Sequence, residues 1–175
     1  MSKEIVLSGI RPTGNLHLGN YYGALSKFVK LQNDGEYDCL FFIADLHALT
    51  TSTDPDALHR NVRGILAEYL AAGIDPEKAS IFVQSDVPEL SELYLLLNMH
   101  VGIGELMRTA SFKDKARKAL GLGTPAQDSD EAFEKEILGA CNTTNKRVNA
   151  GLLTYPTLMA VDILIQKARW VPVGK

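Results

Sequence analysis

Apolar and polar positions change their period several times along the chain, and each change predicts an element. Glu4–Ser8 reads as a first strand. Asn20–Gln32 places Leu25, Phe28, Val29 and Gln32 at helical spacing. Cys39–Ala44 is an unbroken apolar run of the length expected for a strand buried on both faces. A second helix is punctuated by Thr53 or Asp54 as cap, Pro55 in its first turn and Gly73 after its last residue. Its stripe contains Leu58, Val62, Ile65, Leu66 and Leu70. Ser80–Gln84 predicts a third strand, Val87–His100 a strongly apolar helix, and Ile103–Ser111 a further one. Gly121–Asp130 reads as a loop, with a helix resuming near Asp130. The last helix is expected from about Thr154 to Lys167, followed by a short strand Arg169–Val173. Strands separated by helical crossovers of this length imply parallel βαβ units.

In such sheets a ligand lies beyond the carboxyl ends of the strands. The stretches to watch are therefore Ser8–Gly19, Asp45–Thr51 and Gln84–Pro88. In the first, an apolar strand runs through Gly9, Pro12 and Gly14 into His17, Leu18, Gly19 and Asn20 at an expected helix start. Backbone N–H groups and the helix dipole there favour an anion, and a histidine adds a side-chain donor. This layout predicts a nucleotide phosphate. There is no Walker pattern, and GLGTPA at 121–126 does not follow a strand, so P-loop and dinucleotide readings fail.

Composition adds bounds. The chain has 175 residues, 46% apolar and 22% charged, enough for one cored domain. No apolar run reaches membrane-spanning length, and the N-terminus lacks the layout of a signal peptide. Cys39 and Cys141 are too few for a disulfide framework or a zinc cluster, which fits a cytoplasmic setting. A net charge of −3 argues against attraction of nucleic acid to the whole surface.

Other signals stay open on the residues alone. His47, after the second strand, is a structural or a functional histidine, and Asp45 is first a cap of the loop after it. Tyr155, Met159 and Asp162 share one helix face. They form either an amphipathic helix with Asp162 at its solvent edge or a pocket for a ligand such as an indole, whose N–H only donates. Lys113, Lys115, Arg117 and Lys118 read as a solvated face or as a phosphate contact.

Taken in order, SGIRPTGNLHLGNYYGAL (8–25), ADLHALT (44–50), AAGIDP (71–76), FVQSDVP (82–88), IGELMRTASFKDK (103–115) and GLLTYPTLMAVDILIQKARWVPVG (151–174) resemble the bacterial tryptophanyl-tRNA synthetases, a family of class I aminoacyl-tRNA synthetases. The resemblance implies a Rossmann-like (HUP-type) α/β fold. Its parallel sheet is flanked by helices, with a helical insertion at about 88–150 between the sheet halves. It also implies tryptophan activation by ATP with Mg2+ on the phosphates, then transfer to tRNA(Trp), in a homodimer. Residue by residue, His17, Asn20 and Lys115 match catalytic positions. Gly9, Arg11, Thr13, His17, Gly19 and Asn20 match the ATP site. Leu7, His47, Tyr155, Met159, Asp162, Val171 and Val173 match the tryptophan pocket, with Asp162 accepting from the indole N–H in place of the solvent edge. No metal ligands in the chain are implied. Arg11 stands where relatives often have glutamine, and 119–149 is longer than in compact relatives.

The family's second, lysine- and serine-containing signature and its anticodon-binding domain have no counterpart in 1–175. The chain is thus expected to be an incomplete catalytic domain that by itself binds tryptophan or ATP weakly and charges tRNA poorly or not at all. The other readings are a different nucleotidyltransferase with the same histidine signature, which would not need Tyr155, Met159 and Asp162 together, or a non-enzymatic module. Leu90–Met99 reads as a dimer interface or as ordinary core.

Overall fold

The computed structural model describes residues 3–14, 16–52, 54–122, 130–141 and 148–172. They fall into two compact units, Met1–Leu93 with Val161–Lys175, and Tyr94–Ala160.

The first unit is built on a parallel sheet. β1 (Glu4–Ile10) pairs with β2 (Tyr37–Ile43) in the register Val6↔Cys39 and Gly9↔Phe42. β2 pairs with β3 (Ala79–Val83), with Phe41 opposite Ile81. β2 is the central strand, and Cys39, Phe41 and Ile43 are buried in it, as its unbroken apolar run requires. Burial pushes the Cys39 thiol up from its ordinary range, with Asp38 adding to the effect.

The crossover from β1 to β2 begins with α1 (Leu18–Asn20), passes through a π-helical turn (Tyr21–Leu25), and continues as α2 (Ser26–Asp34). A regular helix was expected throughout. Gly35 ends α2 at φ 68°, a left-handed geometry that suits glycine. After β2 comes a single helical turn, α3 (Asp45–Ala48), then α4 (Pro55–Ala71). Asp54 caps α4 by accepting from the N–H groups of Asp56 and Ala57; Thr53, the alternative cap, lies outside the described residues. Ile65 and Tyr69 are the buried residues of α4, while Leu66 and Leu70 of the expected stripe are largely exposed.

The core on this face joins Leu25, Phe28, Phe41, Ile65 and Tyr69. Phe28 and Phe41 stack with centroids 4.5 Å apart, and Tyr69 meets Phe28 edge-on. The Tyr69 hydroxyl donates to the Phe42 carbonyl at 3.1 Å, and burial drives its pKa upward. On the other face Leu7, Phe42 and Ala44 pack with Phe82, Ile163 and Ala168.

The expected strand Arg169–Val173 is not formed as such. Trp170 makes one parallel bridge to Val6, on the free side of β1, and Leu7 N–H donates to the Trp170 carbonyl. Pro172, which has no N–H, stands two residues further on. Val173 lies outside the described residues.

β3 leads through a 3-10 turn (Gln84–Asp86) into α5 (Pro88–Asn98). In the second unit the helix expected at Ile103–Ser111 is two helices, α6 (Ile103–Arg108) and α7 (Ala110–Leu120). Thr109 between them is extended at ψ 138° and accepts from the Phe112 N–H to cap α7. α8 (Asp130–Cys141) and α9 (Ala150–Leu153) complete a core of Phe112, Ala116, Phe133, Ile137 and Leu152. Arg117 is not part of a solvated face. It is 3% exposed, with its guanidinium over the Phe133 ring. Most of the loop expected at Gly121–Asp130 lies outside the described residues. α10 (Tyr155–Ile165) is the last helix. No described helix is long and apolar enough to cross a membrane.

Candidate active site

Three strand ends deliver the candidate side chains of the first unit. β1 runs out into Arg11–Gly14 and Leu16, β2 into α3, and β3 into Gln84. The Ala44 N–H donates to the Ile10 carbonyl, which holds the first two ends together.

In the signature loop, Asn20 Oδ1 accepts from the His17 N–H at 3.0 Å. This closes the loop over one turn and leaves the His17 ring exposed. A Cβ on Gly19 would lie 2.9 Å from the His17 ring, so only glycine lets that ring rest against the backbone. Gly14 sits at φ 127°, again a backbone for glycine. Gly9 is packed face to face with Phe42: a Cβ there would come within 2.7 Å of the ring. The Arg11 guanidinium donates to Thr51 Oγ1 at 2.7 Å, and Thr13 is exposed.

A second cluster is buried. Asp162 is 5% exposed, which excludes the solvent edge. Its Oδ1 accepts from Gln84 Nε2 at 2.8 Å, and its Oδ2 lies 3.0 Å from His47 Nε2. A carboxylate only accepts, so the His47 Nε2–H is the donor. Gln84 Oε1 in turn accepts from the His47 N–H at 3.3 Å. Three residues from α3, the β3 end and α10 thus form a closed network. Asp45 accepts from the N–H groups of Leu46 and Ser85, tying the ends of β2 and β3. Leu7 is fully buried beside Phe42, and Val171 is partly exposed.

Gln84 opens the stretch Gln84–Pro88 marked in the sequence, but no role was predicted for it individually. A glutamine closing the apolar run SIFVQ was the available signal: a polar group buried there needs partners. Gln84→Leu is expected to cost about 1–3 kcal/mol, because Asp162 and the His47 N–H each lose a buried partner. Urea unfolding of the variant measures this, and an unchanged midpoint would contradict the network.

In the second unit, Tyr155 is buried and the Lys115 ammonium stands 4.0 Å from the centre of its ring. Met159 is 42% exposed. Tyr155, Met159 and Asp162 all stand on α10, a single helix.

The model of the family described as tRNA synthetases class I (W and Y) matches residues 2–175. The chain belongs to this family of class I synthetases. A tryptophan–tRNA ligase of Porphyromonas gingivalis is 58% identical over 98% of the chain, and one of Rickettsia felis 47% over 99%. The chain spans 44% of the length of each. Among solved structures, a tryptophanyl-tRNA synthetase of Campylobacter jejuni complexed with ADP and tryptophan is 38% identical. It has a TM-score of 0.76 and covers 98% of this chain and 45% of that one. A tyrosyl-tRNA synthetase of Archaeoglobus fulgidus, 16% identical with a TM-score of 0.66, shares the fold. The Rossmann-like parallel sheet expected from the resemblance is the class I synthetase fold seen here.

Proposed function

We propose that the chain carries the tryptophan- and ATP-binding residues of a tryptophan–tRNA ligase. The buried His47–Gln84–Asp162 network is the observation that carries this reading. An ionised carboxylate offers about four acceptor positions, and two are taken by protein donors. A further donor fits the rest. The indole N–H is a donor and nothing else, whereas a phenol hydroxyl also brings an oxygen whose lone pairs need a buried donor of their own. A site built to satisfy one such group discriminates strongly against a ligand with the wrong polarity. Tyr155 and Met159, on the same helix as Asp162, are assigned an aromatic and an adaptable apolar contact, and Leu7 and Val171 are assigned to the apolar wall.

ATP is assigned to the signature loop. His17 donates to the phosphates, Asn20 contributes its side-chain amide, and Gly9, Arg11, Thr13 and Gly19 shape the approach. The tryptophan carboxylate attacks the α-phosphorus in line and pyrophosphate leaves, so catalysis is positioning plus neutralisation of charge. A 3′-terminal hydroxyl of tRNA(Trp) then attacks the adenylate carbonyl, forming the ester as AMP leaves. Among the described residues no group of three or more His, Cys, Asp or Glu could hold a metal. Magnesium is assigned to the ATP oxygens, which suit a hard cation, and no step is routed through it. The same reading includes a homodimer working in the cytoplasm.

Calorimetry of the chain with ATP, tryptophan and tyrosine tests the proposal. The expected result is binding of ATP and of tryptophan, with tyrosine at least about a hundredfold weaker. Equal affinity for the two amino acids, or binding of neither, would overturn it.

A further inference from the structure

The signature loop is held from behind by a helix to which no role has yet been given. α4 runs alongside it, and two of its polar side chains reach the loop. Glu68 places both carboxylate oxygens 3.2 Å from the Leu16 N–H, the residue directly before His17. Asn61 Nδ2 donates to the Pro12 carbonyl at 3.2 Å. Positions 61 and 68 are seven residues apart, two helical turns, and so lie on one face of α4. One face thus grips the loop near its start and just before the histidine, while Arg11 is tied to Thr51.

We infer that Glu68 and Asn61 are positioning residues for ATP, fixing the backbone that presents His17 to the phosphates. The inference rests on the assignment of ATP to this loop. A free loop would have to be ordered at the moment of binding, and that entropy would be subtracted from affinity. The placement of Glu68 is otherwise hard to understand, because a carboxylate near a phosphate site repels the ligand. Here both of its oxygens converge on a backbone donor. A glutamine would keep an acceptor without the charge, so the carboxylate as such is dispensable and the acceptor is not.

The test is calorimetry of the full chain with ATP and, separately, with tryptophan. Glu68→Ala is expected to weaken ATP about tenfold, equivalent to about 1.4 kcal/mol and within the usual range for an abandoned partly buried donor. Tryptophan affinity should be unchanged. Glu68→Gln should bind ATP within about threefold of the unmodified chain. Asn61→Ala serves as the second variant should Glu68→Ala fold poorly, with the same selective loss. A role confined to stability would lower both affinities together, and that outcome overturns the inference. So does wild-type ATP affinity in Glu68→Ala and Asn61→Ala, or a Glu68→Gln as weak as Glu68→Ala. If the unmodified chain binds tryptophan but no ATP, the assignment of the loop fails first, and the inference with it.

Discussion

Asp162→Asn should weaken tryptophan binding about a hundredfold, because three donors converge on a group that must only accept. Gln84 Nε2 and His47 Nε2 already use one oxygen each, and the proposed indole N–H is the third. An asparagine has one acceptor oxygen and one NH2 group. Turned one way, the NH2 faces the Gln84 amide; turned the other, it faces the His47 ring. Flipping Gln84 to compensate would set its own NH2 against the His47 N–H, which its oxygen now serves. A neutral amide at 162 fits only if His47 takes its other tautomer, with Nε2 accepting from the new NH2, and it then leaves a single acceptor oxygen for both the Gln84 amide and the indole N–H. ATP binding, assigned to the signature loop, should change little. Calorimetry with both ligands separates the two effects. Tryptophan affinity within about twofold of the original would sink the assignment of Asp162. Asp162→Ala is the harsher change, since it leaves two buried donors without an acceptor at about 1–3 kcal/mol each.

Phe41→Ala should give the largest loss of stability, about 3–5 kcal/mol. Phe41 has no exposure at all, stands on the central strand, and stacks on Phe28. Truncation removes a whole ring from the contact between sheet and helices and leaves a cavity that the strand cannot close. Domains of ordinary size are stable by only about 5–15 kcal/mol, so the urea midpoint should fall steeply, with Phe41→Leu falling much less. A midpoint shift no larger than that of Phe41→Leu would contradict the packing described.

The expectations that held were those where local signal and tertiary need coincide. Cys39–Ala44 was recognisable because a central parallel strand has two buried faces and no polar positions. The start of α4 was recognisable because Asp54 and Pro55 act within one turn. Where a residue's partner is distant in sequence, the pattern was mute. The π-helical turn at Tyr21–Leu25 differs from an α-helix by one residue in its hydrogen bonding, which apolar spacing does not resolve. Thr109 was read through as helix, although a threonine ahead of an amphipathic run is an N-cap signal. Arg117 looked solvated among lysines, yet its partner is an aromatic ring sixteen positions later. Asn61 and Glu68 were invisible for the same reason, and Gln84 was marked only as part of a loop. The network of the candidate site was legible in its end members, His47 and Asp162, but not in the glutamine that joins them.

Trp170 is the one tryptophan in the chain. Its indole N–H donates to Glu4 Oε2 at 2.6 Å, its backbone is pinned to the outer side of β1, and half its surface faces solvent. The chain therefore carries a single indole fluorophore, at one known place. Its emission reports whether the segment after α10 remains docked on β1, with no other indole to blur the signal. In the presence of ATP that emission can be read without interference from the ligand. In titrations with free tryptophan it cannot, because there the added ligand glows as well.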